Sequence, residues 1–419
     1  VNGAALNVGQ LSPIDFALSV MDNPQRPVDF MLVFHLTDAP SLDALRAGAR
    51  SARHLYPTTG SYISGKNWKR GHEPNDDGVR AIASSGNNIN ELIQEFLARP
   101  IEIACQVPVQ QLVITNKHSA AIKLVTRIHH AAADGLSAGM WIGHQLRVAS
   151  GTESPVVDSH PFQPLPLRTH NQPVRKSRFA HHGASHRLWT PGVNSSGQRH
   201  WQTIQIDANG LRKAIRRAGG FTYNDLLATC ALEVFARWNR LHSDQLQPKI
   251  GLWLPINIRR RAADGFGNGT GRIRLYACYP GDASLLDKGR QVRRQISWTI
   301  QHGEWAVPEN NPLDFLPHWA AAPLLRGYFN RPGVDMATGV FSHAERWTGA
   351  GGEIFTSVEK IESIGQLHAH HCVAINGATH LGRTWLTFTY DDGLISAHDI
   401  RTLIELYEGQ IALARRELG

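Results

Sequence analysis

The sequence predicts an α/β protein of two lobes. Strand-like and helix-like segments alternate in both halves of its 419 residues, and a stretch of different composition separates those halves. At ~150 residues per compact unit the length admits two or three units, and two lobes with one connection account for the pattern.

The first lobe covers residues 1–150. Its dense apolar run at 30–36 reads as a buried strand, and after Pro40 the segment Ser41-Leu42-Asp43-Ala44-Leu45 opens a helix with a serine cap. Ile122, Leu124, Thr126 and Ile128 alternate with Ala121, Lys123, Val125 and Arg127, the period of two expected of a strand with unlike faces. If that strand continues, His130 shares the face of Ile128. Residues 137–148 then carry Met140, Trp141, Ile142 and Leu146 at helical spacing.

Residues 151–197 form the connection. They are rich in Pro, Ser, His and Arg, with prolines at 155, 161, 164, 166, 173 and 191, and they predict a crossover lying along the surface. The second lobe covers residues 198–419. It opens with a strand at 200–206, followed by a helix capped by Thr222 with Leu227, Ala231, Val234 and Trp238 as its apolar stripe. A strand comes next, with Ile250, Leu252, Leu254, Ile256 and Ile258 on one face and Trp253, Asn257 and Arg259 on the other. Strands at 272–279 and 385–390 and a closing helix through Ile400, Leu403, Ile404, Tyr407 and Ile411 complete the lobe.

Composition narrows the setting. No run of about 18 apolar residues is present, so no membrane span is expected, and nothing at the start reads as a secretory leader. Cys105, Cys230, Cys278 and Cys372 lie far apart without metal or redox spacing, which predicts a reduced, cytoplasmic location. The net charge of +8 is scattered rather than clustered with aromatics. It argues against nucleic acid as a partner and is compatible with anionic substrates such as coenzyme phosphates. The histidine clusters His181-His182 and His368-Ala369-His370-His371 lack ligating neighbours at metal spacing, so no metal is expected.

The segment His129-His130-Ala131-Ala132-Ala133-Asp134-Gly135 carries the chemistry. It places a histidine just past a buried strand, where the chain turns into a helix. An unperturbed imidazole, with a pKa of about 6.5, is mostly neutral at pH 7 and can accept a proton. His130 is thus the candidate general base, drawing a proton from a hydroxyl or amine as it attacks a thioester carbonyl. Asp134, four residues on, is expected to point away and pair with a cation. Gly135 is expected to allow a tight turn or close approach of substrate.

This segment matches the HHxxxDG signature shared by chloramphenicol acetyltransferase, the condensation domains of nonribosomal peptide synthetases, and the wax ester synthase/diacylglycerol acyltransferase group. Leu11-Ser12-Pro13-Ile14-Asp15-Phe16 resembles the opening of the last group, and Thr222-Tyr223-Asn224-Asp225-Leu226-Leu227 its Asn-Asp helix. Leu254-Pro255-Ile256-Asn257-Ile258-Arg259 and Gly267-Asn268-Gly269 are similar to the segments that follow. The resemblance implies two chloramphenicol-acetyltransferase-like α/β sandwich lobes in a V, with a tunnel at their interface. It implies His130 as the catalytic residue, His129 as support for the turn, and an Asp134–Arg259 ion pair joining the lobes. Asn257 and Asn224 are secondary candidates by the same likeness. No bound cofactor is implied. The acyl donor would be carried on coenzyme A or on the phosphopantetheine arm of an acyl or peptidyl carrier protein, with a small-molecule acceptor in a natural-product pathway.

Two other readings compete. Gly135-Leu136-Ser137-Ala138-Gly139 fits GxSxG, which would make Ser137 the nucleophile of a hydrolase; yet an elbow serine sits directly off a strand, and here the histidine segment intervenes. A non-catalytic, condensation-like binding protein is the other alternative. The glycine-rich run 265–271 lacks the Gly-Lys-Ser/Thr ending of a phosphate loop and leads into a strand, so it predicts a hairpin or bulge.

Overall fold

A computed structural model describes residues 6–23, 26–70, 78–84, 88–116, 122–170, 175, 177–180, 185–192, 194–243, 249–261, 265–277, 283–305, 316–329, 337–345, 358–367 and 371–419. Cys278, His181, His182, His368 and His370 lie outside them. Cys105 is exposed and free, while Cys230 and Cys372 are free and buried. Among the described residues no helix is long and apolar enough to cross a membrane, and no group of His, Cys, Asp and Glu is placed to hold a metal.

The first half contains β1 (Leu6–Gln10), α1 (Pro13–Met21), β2 (Asp29–Leu36), α2 (Leu42–Leu55), β3 (Tyr62–Ser64), β4 (Asn67–Arg70), β5 (Val79–Ser84), α3 (Ile89–Ala98), β6 (Val109–Asn116), β7 (Ile122–His129) and α4 (Gly135–Ala149). Ser12, Ser41 and Asp134 cap α1, α2 and α4 by accepting a backbone N–H from the first turn, as the cap-forming side chains predict. The second half contains β8 (Arg199–Asp207), α5 (Ala208–Ala218), α6 (Tyr223–His242), β9 (Gly251–Asn257), β10 (Thr270–Tyr276), α7 (Leu285–Gln301), α8 (His318–Phe329), β11 (Gly339–Ala344), β12 (Val358–Ile364), β13 (Val373–His380), β14 (Arg383–Asp391) and α9 (Ala397–Leu418).

Two large sheets organise these elements. One has the order β12-β2-β7-β6-β5 and the other β10-β9-β11-β13-β14-β8; a small sheet, β1-β4-β3, lies apart. The first large sheet buries Phe30, Phe34, Leu124 and Ile128 with Leu45, Trp141 and Ile142 of α2 and α4. Its other face buries Met31, Val33 and Val125 with Ile93 and Leu97 of α3. The second sheet packs its Leu252, Ile375 and Phe388 against α5, α6, α7 and α9 through Leu211, Leu227, Val292 and Tyr407. Helices α2 and α4 approach closely at Gly48, where a Cβ would collide with the Gln145 carbonyl.

Two features depart from the sequence pattern. The strand carrying the histidine pair ends at His129, so His130 lies in a turn, although its ring still packs on Phe30, the residue paired with Ile128. And β12, from the second half of the chain, pairs antiparallel with β2 of the first sheet, so the two halves are interleaved in space. The connection at 151–197 contains no helix or long strand among its described residues, and it is anchored at intervals. Arg168 N–H donates to the Ile258 carbonyl, and His186 N–H to that of Lys249. Ser51, His144 and Glu153 form a hydrogen-bonded row at 2.8 and 2.9 Å, and Ser51 Oγ also accepts the Val156 N–H. Ser51 and His144 are buried and Glu153 is partly exposed, and together they fasten the start of the connection to α2 and α4.

The β13–β14 hairpin turns through Leu381 at φ +46° and Gly382 at φ +78°. A tight hairpin needs positive φ at both central positions, which suits Asn and Gly far better than an exposed leucine. Leu381→Asn should therefore raise stability by about 1 kcal/mol, read as a higher denaturant midpoint with unchanged slope.

Candidate active site

The turn after β7 is built from the backbone outwards. His129 N–H donates to the Pro108 carbonyl and His130 N–H to that of Val28, at 2.8 Å each. His129 is buried; its Nδ1 accepts the Ala131 N–H at 3.1 Å, which leaves the ring proton on Nε2, 3.4 Å from Asp22 Oδ2. This side chain holds the turn from within.

The next side chain is placed differently. The His130 ring packs edge-on against Phe30, with centroids 5.1 Å apart. Its Nδ1 is buried and finds no partner in another residue, so Nε2 is the nitrogen left to the cavity. Burial lowers the His130 pKa, and the negative charge of Asp134 opposes that shift without reversing it. The imidazole is consequently neutral at pH 7.

Asp134 is 1 % exposed, as is Arg259. Arg259 Nη1 and Nη2 donate to Asp134 Oδ2 and Oδ1 at 2.9 Å, a bidentate pair between the start of α4 and the residue two positions past β9. Asp134 Oδ1 also accepts the Ser137 N–H at 2.9 Å, and Oδ2 accepts the Gly269 N–H at 2.9 Å and the Thr270 hydroxyl at 2.8 Å. Burial alone would raise the Asp134 pKa. The Arg259 charge and these hydrogen bonds outweigh it and hold the carboxyl below the usual carboxylate range. Gly269 leaves the space this needs, since a Cβ there would lie 2.6 Å from Arg259 Cγ and Nη1.

Ser137 is part of this buried network. Its hydroxyl donates to the Gly267 carbonyl at 2.8 Å and accepts from Gly267 N–H at 2.9 Å and Arg259 Nη2 at 2.8 Å. It is fully buried and sits in the first turn of α4, so it is not presented as an elbow nucleophile. Gly135 is exposed, lines the cavity and has no positive φ; an added Cβ would meet nothing within 4 Å. The turn itself does not require glycine there, which leaves close approach of a substrate as the surviving expectation.

Sequence reasoning assigned no role to Asn268 or Asp15, although both lie in segments that carried the resemblance. Asn268 Nδ2 lies within hydrogen-bond distance of Asp15 Oδ1 at 2.7 Å, the His130 carbonyl at 2.8 Å and the Ala131 carbonyl at 3.1 Å. It thereby ties α1, the histidine turn and the 265–270 loop together. Burial pushes the Asp15 carboxyl up to about 6, against the lowering effect of its hydrogen bonds to Asn268 and Ser12.

His130, Asp134, Gly135, Arg259 and Asn268 border a cavity of about 750 Å³. One wall is apolar: Ile14, Ala17, Leu18 and Met21 of α1 with Phe30 and Leu32 of β2. The opposite wall comes from the second half and is more polar, with Asn257, Arg272, Glu304, His343 and Asn376. Asn257 lies at the cavity, whereas Asn224 is set back from it and reaches it only through His343, whose Nδ1 is 3.3 Å from Asn224 Oδ1. Burial drives the His343 pKa down to about 3, so that ring stays neutral.

Asp134→Ala or Arg259→Ala should each cost about 3–5 kcal/mol, because either strands a buried charge; the check is chemical denaturation of both variants. Asp15 gives a pH-dependent outcome. A carboxyl whose pKa is raised on folding stabilises fully below its unfolded value near 4, and that contribution is lost as pH rises through about 6. Asp15→Asn should therefore gain in melting temperature relative to wild type as pH goes from 4 to 8.

No family model matches the chain, and no curated protein matches it either. Solved structures do. The condensation domain of the Monacolin K polyketide synthase MokA superposes with a TM-score of 0.66 at 13% identity, covering 99% of this chain and 98% of that one. The trichothecene 15-O-acetyltransferase of Fusarium sporotrichioides gives 0.67 at 12% identity, with 98% and 95% covered. A variant of the starter condensation domain of rhizomide synthetase RzmA, in complex with C8-CoA and Leu-SNAC, gives 0.64 at 11%, with 97% and 94% covered. At such identities the likeness is one of fold, and it extends over essentially the whole chain. The protein has the chloramphenicol-acetyltransferase-like fold shared by condensation domains and this acetyltransferase.

Proposed function

We propose that the protein is an acyltransferase that moves an acyl group from a thioester to an alcohol or amine, with His130 as general base. The observation that carries this reading is the neutral, anchored imidazole of His130 in a cavity bordered by both halves of the chain. A nucleophile entering that cavity gives its proton to His130 as it adds to the thioester carbonyl. The C–S bond then breaks, and the departing thiolate takes the proton back from the imidazolium. Positioned proton transfer of this kind contributes about 10²–10⁴ in rate. Acyl transfer is direct in this scheme, with no covalent enzyme intermediate.

His129, Asp134 and Arg259 are positioning residues here: they hold the turn and the start of α4 through contacts within the protein. The donor is carried on coenzyme A or on a carrier-protein phosphopantetheine arm, in keeping with the C8-CoA complex of the rhizomide synthetase domain. The apolar wall of α1 suits a hydrocarbon portion of donor or acceptor. The acceptor is a small molecule bearing a hydroxyl or amine.

The test is thiol release from a panel of acyl-CoAs and acyl carrier proteins with alcohol and amine acceptors, alongside intact-protein mass spectrometry. Acceptor-dependent release should fall by at least a hundredfold in His130→Ala and persist in Ser137→Ala, with no acyl adduct on the protein. An adduct on Ser137, or turnover untouched in His130→Ala, overturns the mechanism. Because burial lowers the His130 pKa, the acid limb of kcat/KM should lie below pH 6.5 in a pH–rate profile.

A further inference from the structure

We propose that the Asn257 side-chain amide donates a hydrogen bond to the carbonyl oxygen of the acyl thioester, making it a second catalytic residue beside His130. The inference rests on the acyl-transfer reading above and adds to it the group that receives the developing negative charge.

Asn257 is the last residue of β9 and pairs across the hairpin with Thr270, whose hydroxyl donates to Asp134. Its Oδ1 accepts the Arg259 N–H at 3.0 Å and lies 3.4 Å from Arg259 Nη1. These contacts settle which end of the amide faces the protein. With Oδ1 turned towards Arg259, the Nδ2 end of the amide is turned away from it, and Asn257 is exposed where it lines the cavity.

Most of the network around the ion pair is engaged within the protein, although Asn268 Oδ1 is buried without a partner. Both Asp134 oxygens, the Ser137 hydroxyl and the Asn268 Nδ2 are engaged within the protein. Next to that network the cavity meets an open acceptor, the His130 imidazole, and an open donor, the Asn257 amide. Addition to a carbonyl needs this combination. As the new bond forms, the proton goes to His130 and negative charge gathers on the carbonyl oxygen; when the C–S bond breaks, the carbonyl reforms and the charge leaves with the thiolate. A donor fixed in advance by the ion pair stabilises that oxygen without reorganising.

The experiment compares wild type with Asn257→Ala and Asn257→Asp in acyl-CoA thiol release, together with thermal denaturation. Asn257→Asp keeps an acceptor for Arg259 and removes the donor. The proposal expects kcat to fall about 10²–10³-fold in both variants, with KM changed less than threefold and the melting temperature of Asn257→Asp close to wild type. A kcat within threefold of wild type in Asn257→Ala overturns it, as does a loss confined to variants whose melting temperature falls in parallel. Absence of thiol release in the wild type overturns the acyl-transfer reading and the Asn257 role with it; wild-type turnover with unaffected Asn257 variants overturns the latter alone.

Discussion

The Asp134–Arg259 pair is the constraint on which the site depends. Both partners are removed from water, so each is tolerated only because the other is present with good bidentate geometry. The requirement spreads outwards: the carboxylate needs the Gly269 N–H and Thr270 hydroxyl, the guanidinium needs the Gly267 carbonyl and Ser137, and Gly269 must lack a side chain. Satisfying one ion pair thereby fixes the start of α4, the 265–270 loop and the end of β9 relative to one another. His130 and Asn257, which take no part in the ion pair itself, inherit their positions from it.

A second buried charge cluster reinforces the seam from the other side of the histidine turn. Asp29 opposes His129 in the sheet register and is held between Arg127 of β7 and Arg199 of β8. Burial would raise its pKa, but the two arginines hold it down. Arg199 also donates to the Asp29 carbonyl at 2.8 Å, so a residue of the second sheet grips the strand that carries Phe30. The strand whose Phe30 packs on His130 is thereby tied to both large sheets.

Much of this was legible in the sequence because local chemistry decided it. The alternation through residues 122–128, the serine and threonine caps of α2 and α6 and the stripe of α6 are short-range signals, and the elements lie where those signals put them. The Asp134–Arg259 contact was foreseen through likeness to other proteins, since nothing in spacing alone pairs residues 125 apart. The chain's periodicity could not show that the strand stops at His129, because that end is set by the Pro108 and Val28 carbonyls arriving from elsewhere. Asn268 carried a visible landmark but no visible role, for its three acceptors come together only in the folded protein. Ser137 shows the converse: a motif readable as a nucleophile turns out to hold a structural hydroxyl.

The crossing of β12 into the first sheet has a consequence for how the chain can be divided. Strand β2 meets β7 on one side and β12 on the other, and residues 358 to 364 supply the latter. A fragment ending near residue 150 would leave β2 as a bare edge whose buried Met31, Val33 and Phe34 sit beside unpaired backbone groups, an arrangement that invites strand addition from other molecules. The two halves, although each has its own sheet and helices, are thus obliged to mature together. Expression trials or domain swaps that cut within the connection should begin from that interdependence and keep residues 358–364 with the strand they shield.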